Sequence, residues 1–392
     1  MQSDSLSPDV VIVGGAVVGS AVAYFLALRG VRALIIEKDP SYTRCATTLS
    51  LASIRHQFST PQNVQMSMFG TQFLRQAAAR LEVQGDVPAI GFREAGYLFL
   101  ASATGLPVLH ANHALQRRLG ADVVLLEREA VAARFPWLAV DDLAAGSLGL
   151  SGEGWLDAHT LMHGLRRKAV SLGARVAQGE VVALRRQGAR ISEVVLASGA
   201  RFACAWVVNA AGTGAASVSR MAGIALPVEP RKRCVFHFRS PAQLPGCPLV
   251  VDPGGLYFRP EGPGFLCGAA PPEHEDPPTE DFQVDHAMWE ERLWPALAAR
   301  VPGFASARLI SAWAGHYDVN TLDHNAILGA HPQVENLLFA NGFSGHGLQQ
   351  APAVGRAISE LMLDGGYRTL DLAALGWGRV LRGQPLLETN VV

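Results

Sequence analysis

The chain has 392 residues, of which 49% are apolar and 17% are charged, and its formal net charge at pH 7 is −1. This composition is typical of a folded globular protein rather than a disordered chain, and the length suggests two domains. Because the net charge is close to zero, no global field would attract nucleic acid or anionic lipid, so we expect no nucleic-acid partner. No run of sequence approaches the roughly 18 apolar residues that a membrane span needs.

The cysteines and the N-terminus bear on the cellular compartment. The five cysteines form no CxxC pair and are odd in number, which favours free thiols in a reducing environment. The N-terminal stretch MQSDSLSPDV is short and acidic, unlike a secretion signal or an Arg-rich transit peptide. The sequence therefore predicts a cytoplasmic protein.

The first predicted elements form a βαβ unit. The β-branched run VVIV predicts a buried parallel strand, a glycine turn and an apolar helix follow, and a second strand, ALIIEK, ends near Glu37. In this context Gly14, Ala16 and Gly19 fit the dinucleotide-binding fingerprint. Gly14 permits the tight turn and Gly19 lets helix and strand pack closely, while the helix N-terminus faces a pyrophosphate. Glu37 is placed to accept hydrogen bonds from ribose hydroxyls, which argues against a 2′-phosphate.

Two distant segments repeat the pattern of a strand, a glycine turn and a helix. WVVNAAGTG is a buried strand that breaks into small residues at Gly212, and NLLFANGFSGHGLQQAPAVGR is a third strand, turn and helix. In this last helix apolar residues recur at helical spacing until Gly365 and Gly366. Three such pieces separated by long insertions favour FAD, a large two-part cofactor lying across a discontinuous domain. A nicotinamide dinucleotide does not need a third segment from the C-terminal part of the chain to cover it.

Two histidine pairs have spacings that metal ligands often show. His110 and His113 are three residues apart, and His159 and His163 are four residues apart. Neither pair has the glutamate of an HExxH motif or a neighbouring cysteine pair. We interpret both as exposed helix faces and predict no metal site.

Several ordered motifs make nearly the whole chain resemble the D-amino-acid oxidase-like flavoproteins. The likeness is close to monomeric sarcosine oxidase and closest to the FAD-dependent oxidoreductase domain-containing group, which includes a mitochondrial complex I assembly factor. The motifs are VIVGGAVVGSAVAYFL, SLASIRHQFSTPQN, GEGWLDAHTL, VVNAAG, GLYFRPEGPGFLCG, WAGHYDVNTLDHNAILG and GFSGHGLQQAPAVGR. Their order along the chain is more specific than any one motif alone.

The resemblance implies two domains. The first is an α/β, glutathione-reductase-type FAD-binding Rossmann domain made of residues 1–86, 148–222 and 318–392. The second is an α+β substrate-binding domain with a large, mostly antiparallel sheet, made of residues 87–147 and 223–317.

The resemblance also implies which residues surround FAD. The glycine turn before the last helix would approach the flavin ring, where backbone N–H groups and the helix dipole stabilise negative charge. The cysteine that tethers FAD in sarcosine oxidase corresponds to Gly315 here, so we expect a noncovalent cofactor. The implied FAD-binding residues are Gly14, Gly15, Ala16, Val17, Val18, Gly19, Glu37, Lys38, Thr47, Thr48, Leu51, Ala52, Ser53, Val181, Ala210, Ala211, Gly212, Gly342, Phe343, Ser344, Gly345, Gly347, Leu348 and Gln349.

Five residues are implied in the substrate site. Arg55 corresponds to the family's carboxylate-binding arginine, and its alternative is an ordinary surface arginine. Tyr257 and Tyr317 match residues that line the substrate cavity. His346 either supports the flavin or is a satisfied structural histidine. Gln349 stands where sarcosine oxidase has a lysine that helps to hold the carboxylate, which argues against sarcosine itself as the substrate.

The charges implied around the flavin bear on the electron acceptor. The lysine that promotes reaction with oxygen in sarcosine oxidase corresponds to Leu266 or Cys267. Without a fixed cation to stabilise superoxide, we expect a dehydrogenase rather than an oxidase. The acceptor stays open among oxygen, a quinone and an electron carrier. We expect Arg259 to pair on the sheet rather than to hold a second acidic group.

The predicted function is FAD-dependent oxidation of a C–N bond in an amino acid or an N-substituted amino acid. Hydride would pass from the carbon beside a neutral amine to flavin N5, and the imine would hydrolyse. Such chemistry needs positioning and desolvation more than a strong base. The alternatives are a 2-hydroxy-acid dehydrogenase on the same fold and a non-catalytic, flavin-bearing assembly or scaffold protein. Arg55 and the two tyrosines favour catalysis.

Overall fold

The computed structural model describes residues 7–390. Numbered in chain order, the strands are β1 (Val10–Val13), β2 (Ala33–Glu37), β3 (Ser53–Ile54), β4 (Tyr97–Ala101), β5 (Val123–Glu127), β6 (Ala145–Gly149), β7 (Gly154–Trp155), β8 (Arg175–Gln178), β9 (Val181–Gln187), β10 (Arg190–Leu196), β11 (Arg201–Ala203), β12 (Trp206–Asn209), β13 (Val228–Arg239), β14 (Leu249–Val251), β15 (Leu256–Glu261), β16 (Gly264–Ala269), β17 (Arg308–Asn320), β18 (Ile327–His331) and β19 (Val334–Asn341).

The α-helices are numbered in the same way. They are α1 (Val17–Ala27), α2 (Ala46–Leu49), α3 (Pro61–Arg75), α4 (Ala77–Leu81), α5 (Leu106–Arg118), α6 (Arg128–Arg134), α7 (Ala158–Ser171), α8 (Ala215–Met221), α9 (Trp294–Arg300), α10 (Gly347–Asp364) and α11 (Trp377–Arg382). A π-helical turn, Trp289–Leu293, leads directly into α9.

A six-stranded sheet carries the predicted dinucleotide unit. Its strand order is β18-β19-β12-β1-β2-β8, and every pairing is parallel except that of β18 with β19. Val10 and Ile12 of β1 pack beneath helices α1, α7 and α10, whereas Val11 and Val13 pack against the small sheet β9-β10-β11 and α8. A strand buried on both faces must be apolar throughout, which explains the uninterrupted run VVIV.

Glycines allow distant segments of this domain to pack closely on one another. Gly14 has φ +97°, and a Cβ atom there would lie 2.4 Å from the carbonyl oxygen of Ala210, at the end of β12. A Cβ atom at Gly355 would lie 2.7 Å from the carbonyl oxygen of Ala21, so α10 packs directly on the backbone of α1. The β1, β12 and α10 segments are therefore in close backbone contact, as the α/β prediction requires.

A second large sheet has eight strands. Its strand order is β17-β13-β16-β15-β14-β4-β6-β5, and every pairing is antiparallel except that of β4 with β14. One face packs on α6, α9 and the π-helical turn through an aromatic core that includes Phe236, Phe258 and Phe304. The opposite face carries Tyr97 and Tyr257. The predicted fold class, an α/β FAD-binding fold with a large mixed sheet, is confirmed.

Two strands of the large sheet extend across the domain borders that the sequence predicts. β6 runs past the border at 148, and β17 runs past the border at 318. The exact borders stay a prediction. Across residues 7–390, no helix is long and apolar enough to cross a membrane. The cytoplasmic setting also stays a prediction.

Candidate active site

Two adjacent cavities open where the turn before α10 meets the large sheet. The first has a volume of about 360 Å³, open mouth included, and the second about 310 Å³. Leu51, Tyr257 and Tyr317 line both cavities, so the two form one continuous site. The first cavity is lined by Leu51, Ser53, Arg55, Tyr97, Tyr257, Tyr317, Gly345, His346 and Gln349. The structure thus brings together all the residues that the sequence predicts for the substrate site.

Arg55 lies in the wall of the first cavity, and its side chain is only 2% exposed. Its guanidinium donates to the carbonyl oxygens of Gln57 and Asn390 and lies 4.0 Å from the ring centre of Phe58. No carboxylate in residues 7–390 is within hydrogen-bonding distance of it. Burial lowers the pKa of Arg55 from its ordinary value. The alternative of a surface arginine is therefore wrong.

An unpaired buried cation indicates what the cavity binds. Burying a charge without an opposite charge costs several kcal/mol, and proteins usually compensate such a charge with a carboxylate. Here the groups that accept hydrogen bonds from Arg55 are neutral, and the buried carboxylates of Glu153 and Glu388 attract it only from beyond hydrogen-bonding distance. The guanidinium is therefore open to direct pairing with an anionic ligand. A guanidinium fork matches the geometry of a carboxylate.

His346 and Gln349 support Arg55 from the start of α10. His346 Nε2 lies 3.1 Å from Arg55 Nη2, and burial together with the charge of Arg55 holds the pKa of His346 well below its ordinary value. The ring is therefore neutral, and its Nε2 accepts from the guanidinium. Gln349 Oε1 accepts from the backbone N–H of Arg55 at 2.8 Å. Both side chains fix the arginine, which gives His346 a positioning role.

The remaining polar wall of the first cavity is made of three tyrosines and Ser53. Tyr257 on β15 and Tyr317 on β17 were predicted, and burial raises the pKa of both hydroxyls. Tyr97, at the start of β4, was not predicted, and burial raises its pKa to about 12. All three hydroxyls therefore stay protonated near neutral pH. Nothing in the local sequence YLFLA distinguishes Tyr97 from a core residue, since only the pairing of β4 with β14 brings it to the cavity.

The N-terminus of α1 fits the pyrophosphate of a dinucleotide. Neither α1 nor α10 has a side-chain cap or an acidic residue in its first turn, so the described parts of both helices offer uncompensated N–H groups. Glu37 accepts from the backbone N–H of Gly15 at 2.8 Å, beside the glycine turn. The buried hydroxyl of Tyr42 faces the same turn without a hydrogen-bond partner among the described residues.

Three further observations concern residues that are predicted to bind FAD. Thr47 Oγ1 accepts from the backbone N–H of Val17 at 3.4 Å, next to the N-terminus of α1. The N–H of Gly179, two residues before Val181, donates to the carbonyl of Glu37 at 2.9 Å. A Cβ atom at Gly212 would meet nothing within 4 Å, so the end of β12 is open. The full set of FAD-binding residues stays a prediction.

Asp318, on β17, holds the glycine turn that precedes α10. Its carboxylate accepts from the backbone N–H groups of Gly342 at 2.9 Å and Phe343 at 3.3 Å. A Cβ atom at Gly345 would lie 2.4 Å from the ring of Tyr317, so the turn packs closely on the cavity wall. The turn is therefore fixed on β17 before any ligand binds.

The second cavity contains a cation that sequence reasoning missed. Arg233 on β13 lines this cavity, forms a bidentate ion pair with Asp276 at 2.8 Å, and lies 5.2 Å from the ring centre of Tyr317. Gly315 lines the same cavity, and its would-be Cβ lies 2.9 Å from Leu49. No cysteine is among the described residues that line either cavity.

Leu266 or Cys267 was expected to supply an uncharged wall next to the flavin, and this stays a prediction. Neither residue lines one of the two cavities, and Cys267 faces the aromatic core. Leu266 is the cross-strand partner of Arg259, on the face of the sheet that carries Tyr257. Arg259 pairs with Glu261 and donates to the carbonyl oxygen of Leu51 at 2.9 Å. Arg259 thus forms a pair on the sheet, in line with its predicted role.

The histidine pairs lie outside these cavities. His159 and His163 are on α7, where their Nε2 atoms are 3.0 Å apart, and Arg166 lies 2.7 Å from Nδ1 of His163. His110 and His113 are on α5. Within residues 7–390, no group of three or more histidine, cysteine, aspartate or glutamate side chains is placed to hold a metal ion.

A dinucleotide-binding fold that leads into a cavity with a buried arginine is the arrangement of an oxidoreductase that binds a nucleotide cofactor and an anionic substrate. The chain belongs to the DAO family, described as FAD dependent oxidoreductase, whose family profile matches residues 9–361. The predicted resemblance is confirmed. The protein is an FAD-dependent oxidoreductase.

Individual relatives extend this similarity to the whole chain. FAD-dependent oxidoreductase domain-containing protein 1 of Xenopus laevis is 42% identical over 98% of this chain and 85% of its own length. Among solved structures, L-proline dehydrogenase from P. horikoshii has a TM-score of 0.87 and 25% identity, covering 97% of this chain and 99% of its own. Glycine oxidase from Geobacillus kaustophilus has a TM-score of 0.82 and 27% identity, covering 95% of this chain and 98% of its own.

We expect Asp318 to make the stability of the protein depend on pH. Burial raises its pKa to about 6, although the N–H groups of Phe343 and Gly342 oppose the rise. A folded-state pKa above the unfolded value of 3.8 means that the folded state binds more protons between about pH 4 and pH 6. The contribution of Asp318 to stability is therefore present below about pH 4 and is lost as pH rises through about 6.

Asp318→Asn removes this pH dependence. The free energy of unfolding of the variant, relative to the parent, should rise between pH 4 and pH 6.5 by at most about 1.4 kcal/mol per pH unit. Urea unfolding followed by circular dichroism at several pH values measures this difference. Asp371→Asn, at an exposed aspartate, serves as the control. A difference that stays constant across this pH range would contradict the assignment.

Proposed function

We propose that the protein oxidises the C–N bond of a small amino acid or N-substituted amino acid whose carboxylate binds Arg55. The observation that carries the proposal is the buried guanidinium, which lines a cavity and has no anionic partner in the described chain. FAD, when bound, supplies the hydride acceptor. Two solved relatives, an L-proline dehydrogenase and a glycine oxidase, act on amino acids, which supports an amino-acid substrate for this protein.

The lining of the cavity supports a neutral amine as the reacting group. No aspartate or glutamate is among the described residues that line either cavity, so nothing anionic would hold an ammonium group. Tyr97, Tyr257 and Tyr317 offer hydroxyl groups and aromatic faces, which exclude water and restrict the orientation of the substrate. With the carboxylate fixed at Arg55, the rest of a small substrate has little freedom. Such positioning can supply much of the rate enhancement.

Arg55→Ala tests the carboxylate assignment. Loss of this charge-assisted contact should lower kcat/KM for a carboxylate substrate by roughly 30- to 1000-fold, or about 2–4 kcal/mol, mainly through KM, while FAD stays bound. Arg55→Lys should recover only part of the loss, because an ammonium group cannot form the bidentate fork. Steady-state kinetics on stereo-defined amino acids and N-alkyl glycines provide the measurement.

Arg239→Ala is the matched control for Arg55, because Arg239 is an exposed arginine of the large sheet. It should leave kcat/KM unchanged. If Arg55→Ala also leaves kcat/KM unchanged, Arg55 does not bind the substrate.

No cysteine is among the described residues that line the cavities, and Cys234, on the strand next to Gly315, faces the aromatic core, which supports a noncovalent cofactor. The purified protein should be yellow, and acid precipitation should release all the flavin into the supernatant. Absorbance spectra of the supernatant and of the pellet measure the partition. Flavin that remains with the pellet would show a covalent bond.

We further propose that the protein is a dehydrogenase rather than an oxidase. The cations near the second cavity are neutralised, since Arg233 pairs with Asp276 and Arg259 pairs with Glu261. A paired cation contributes little field to a neighbouring negative charge, whereas a fixed unpaired cation stabilises superoxide. Arg55, the remaining cation of the site, is neutralised in the proposed function by the carboxylate of the bound substrate or product. These ion pairs support the same conclusion as the uncharged wall that the sequence predicts at Leu266.

This proposal predicts that turnover with an artificial dye or a quinone exceeds turnover with oxygen by at least about tenfold. Asp276→Asn, which leaves Arg233 unpaired, should raise oxygen uptake relative to dye reduction. Asp281→Asn is the control, because Asp281 pairs with Lys232, which does not line the cavity. Oxygen-electrode and dye-reduction assays measure the ratio. Parent protein that uses oxygen as fast as dye would be an oxidase.

A further inference from the structure

The segment Leu386–Asn390, here called the C-terminal strap, runs from the base of the Rossmann domain to the carboxylate site. Its fixed point is Glu388, which is 4% exposed. One oxygen of this carboxylate accepts from the backbone N–H of Ser59 at 2.7 Å and from its hydroxyl at 2.6 Å. The other accepts from Thr60 Oγ1 at 3.0 Å and from Asn63 Nδ2 at 2.9 Å.

Glu388 occupies the N-terminus of helix α3. Thr60 is the N-cap residue of this helix, but its side chain caps no helical N–H group and donates to Glu388 instead. A helix N-terminus attracts anions through its dipole and its free N–H groups. The carboxylate has no cation within hydrogen-bonding distance in the described chain, so the helix end and the neighbouring hydroxyl and amide donors compensate its charge.

Two residues further on, Asn390 bridges Arg55 and the backbone beside it. Its carbonyl oxygen accepts from Arg55 Nη2 at 2.5 Å, and its Nδ2 donates to the carbonyl oxygen of Gln57 at 2.7 Å. That same carbonyl accepts from Arg55 Nη1. The N–H of Asn390 donates back to Glu388 at 3.1 Å. The anchor at α3 and the arginine of the cavity are thus connected through one short segment.

We propose that the strap is a positioning element of the carboxylate site and that Glu388 is its positioning residue. By holding Asn390, Glu388 fixes the direction of the Arg55 guanidinium and keeps water from its outer side. A preorganised, desolvated fork binds a carboxylate more tightly than a mobile, hydrated one. This inference rests on the proposed function, in which Arg55 binds the substrate carboxylate.

The strap uses acceptors that suit this role. The carbonyl groups of Asn390 and Gln57 and the neutral ring of His346 orient the guanidinium without neutralising it. A carboxylate in place of the Asn390 carbonyl would pair with Arg55 and compete with the substrate. The only acid of the strap, Glu388, is instead held on α3, where its charge attracts Arg55 only from beyond hydrogen-bonding distance.

The test compares binding of two probes to the FAD-bound protein. Propionate carries a carboxylate, and propionamide is its neutral analogue of similar shape. Their dissociation constants are measured by titration of the flavin absorbance. Glu388→Ala should weaken binding of propionate about tenfold, which is the order expected for one displaced charge-assisted contact, and leave binding of propionamide unchanged. Glu388→Gln should have a smaller effect in the same direction.

Thr389→Ala is the matched control in the same segment. Thr389 is exposed, and its side chain makes no hydrogen bond within the described residues. It should leave both dissociation constants unchanged. Digestion by carboxypeptidase measures the release of the strap separately. It should remove the C-terminal residues of Glu388→Ala faster than those of the parent. If Glu388→Ala does not fold, Ser59→Ala removes one donor to Glu388 and should weaken propionate binding to a lesser extent.

The outcomes separate this inference from the proposed function. If Arg55→Ala abolishes the preference for propionate and the Glu388 and Ser59 variants keep it, the strap has no positioning role and the carboxylate assignment stands. If Arg55→Ala keeps the preference, both proposals are overturned. Faster carboxypeptidase digestion with unchanged propionate binding would make the strap a structural feature only.

Discussion

The site depends on one buried positive charge that has no hydrogen-bonded carboxylate in the described chain. Arg55 is almost inaccessible, yet it is in contact with carbonyl oxygens, a neutral imidazole and aromatic rings, while the carboxylates of Glu153 and Glu388 act on it only from a greater distance. An isolated charge of this kind lowers stability unless a ligand completes it. The free energy that is lost in the free protein becomes available for binding an anion. The remaining features of the cavity follow from keeping this charge buried, oriented and unpaired.

Parts of the chain that are far apart in sequence cooperate to hold this charge. The turn before α10 supplies His346 and Gln349, and Asp318 fixes that turn from the large sheet. The strap supplies Asn390 from the C-terminal end. The other cations near the cavities, Arg233 and Arg259, are each paired with an acid. Because Arg233 and Arg259 are paired and Arg55 is not, an anion is attracted mainly to the part of the cavity wall that contains Arg55.

The sequence by itself determined the dinucleotide unit and most of the site. The strands β1 and β2 and the end of α10 were predicted from hydrophobic runs and glycines, because backbone geometry and burial on both faces are local constraints. Arg55, Tyr257, Tyr317, His346 and Gln349 were found through ordered motifs that resemble a known family, and the structure gathers them at one cavity. Roles within that cavity stay proposals.

Only the tertiary structure decided which further groups reach the cavity and which charges are neutralised. Tyr97 reaches it because β4 pairs with β14, and Arg233 reaches it through the register of β13 against β17. The neighbour of Leu266 across the sheet is Arg259, whose charge is paired with Glu261. The position of the strap depends on the contact of Glu388 with the start of α3, which only the structure shows. Contacts between strands or segments so distant in sequence depend on pairing register and chain path, which no local pattern encodes.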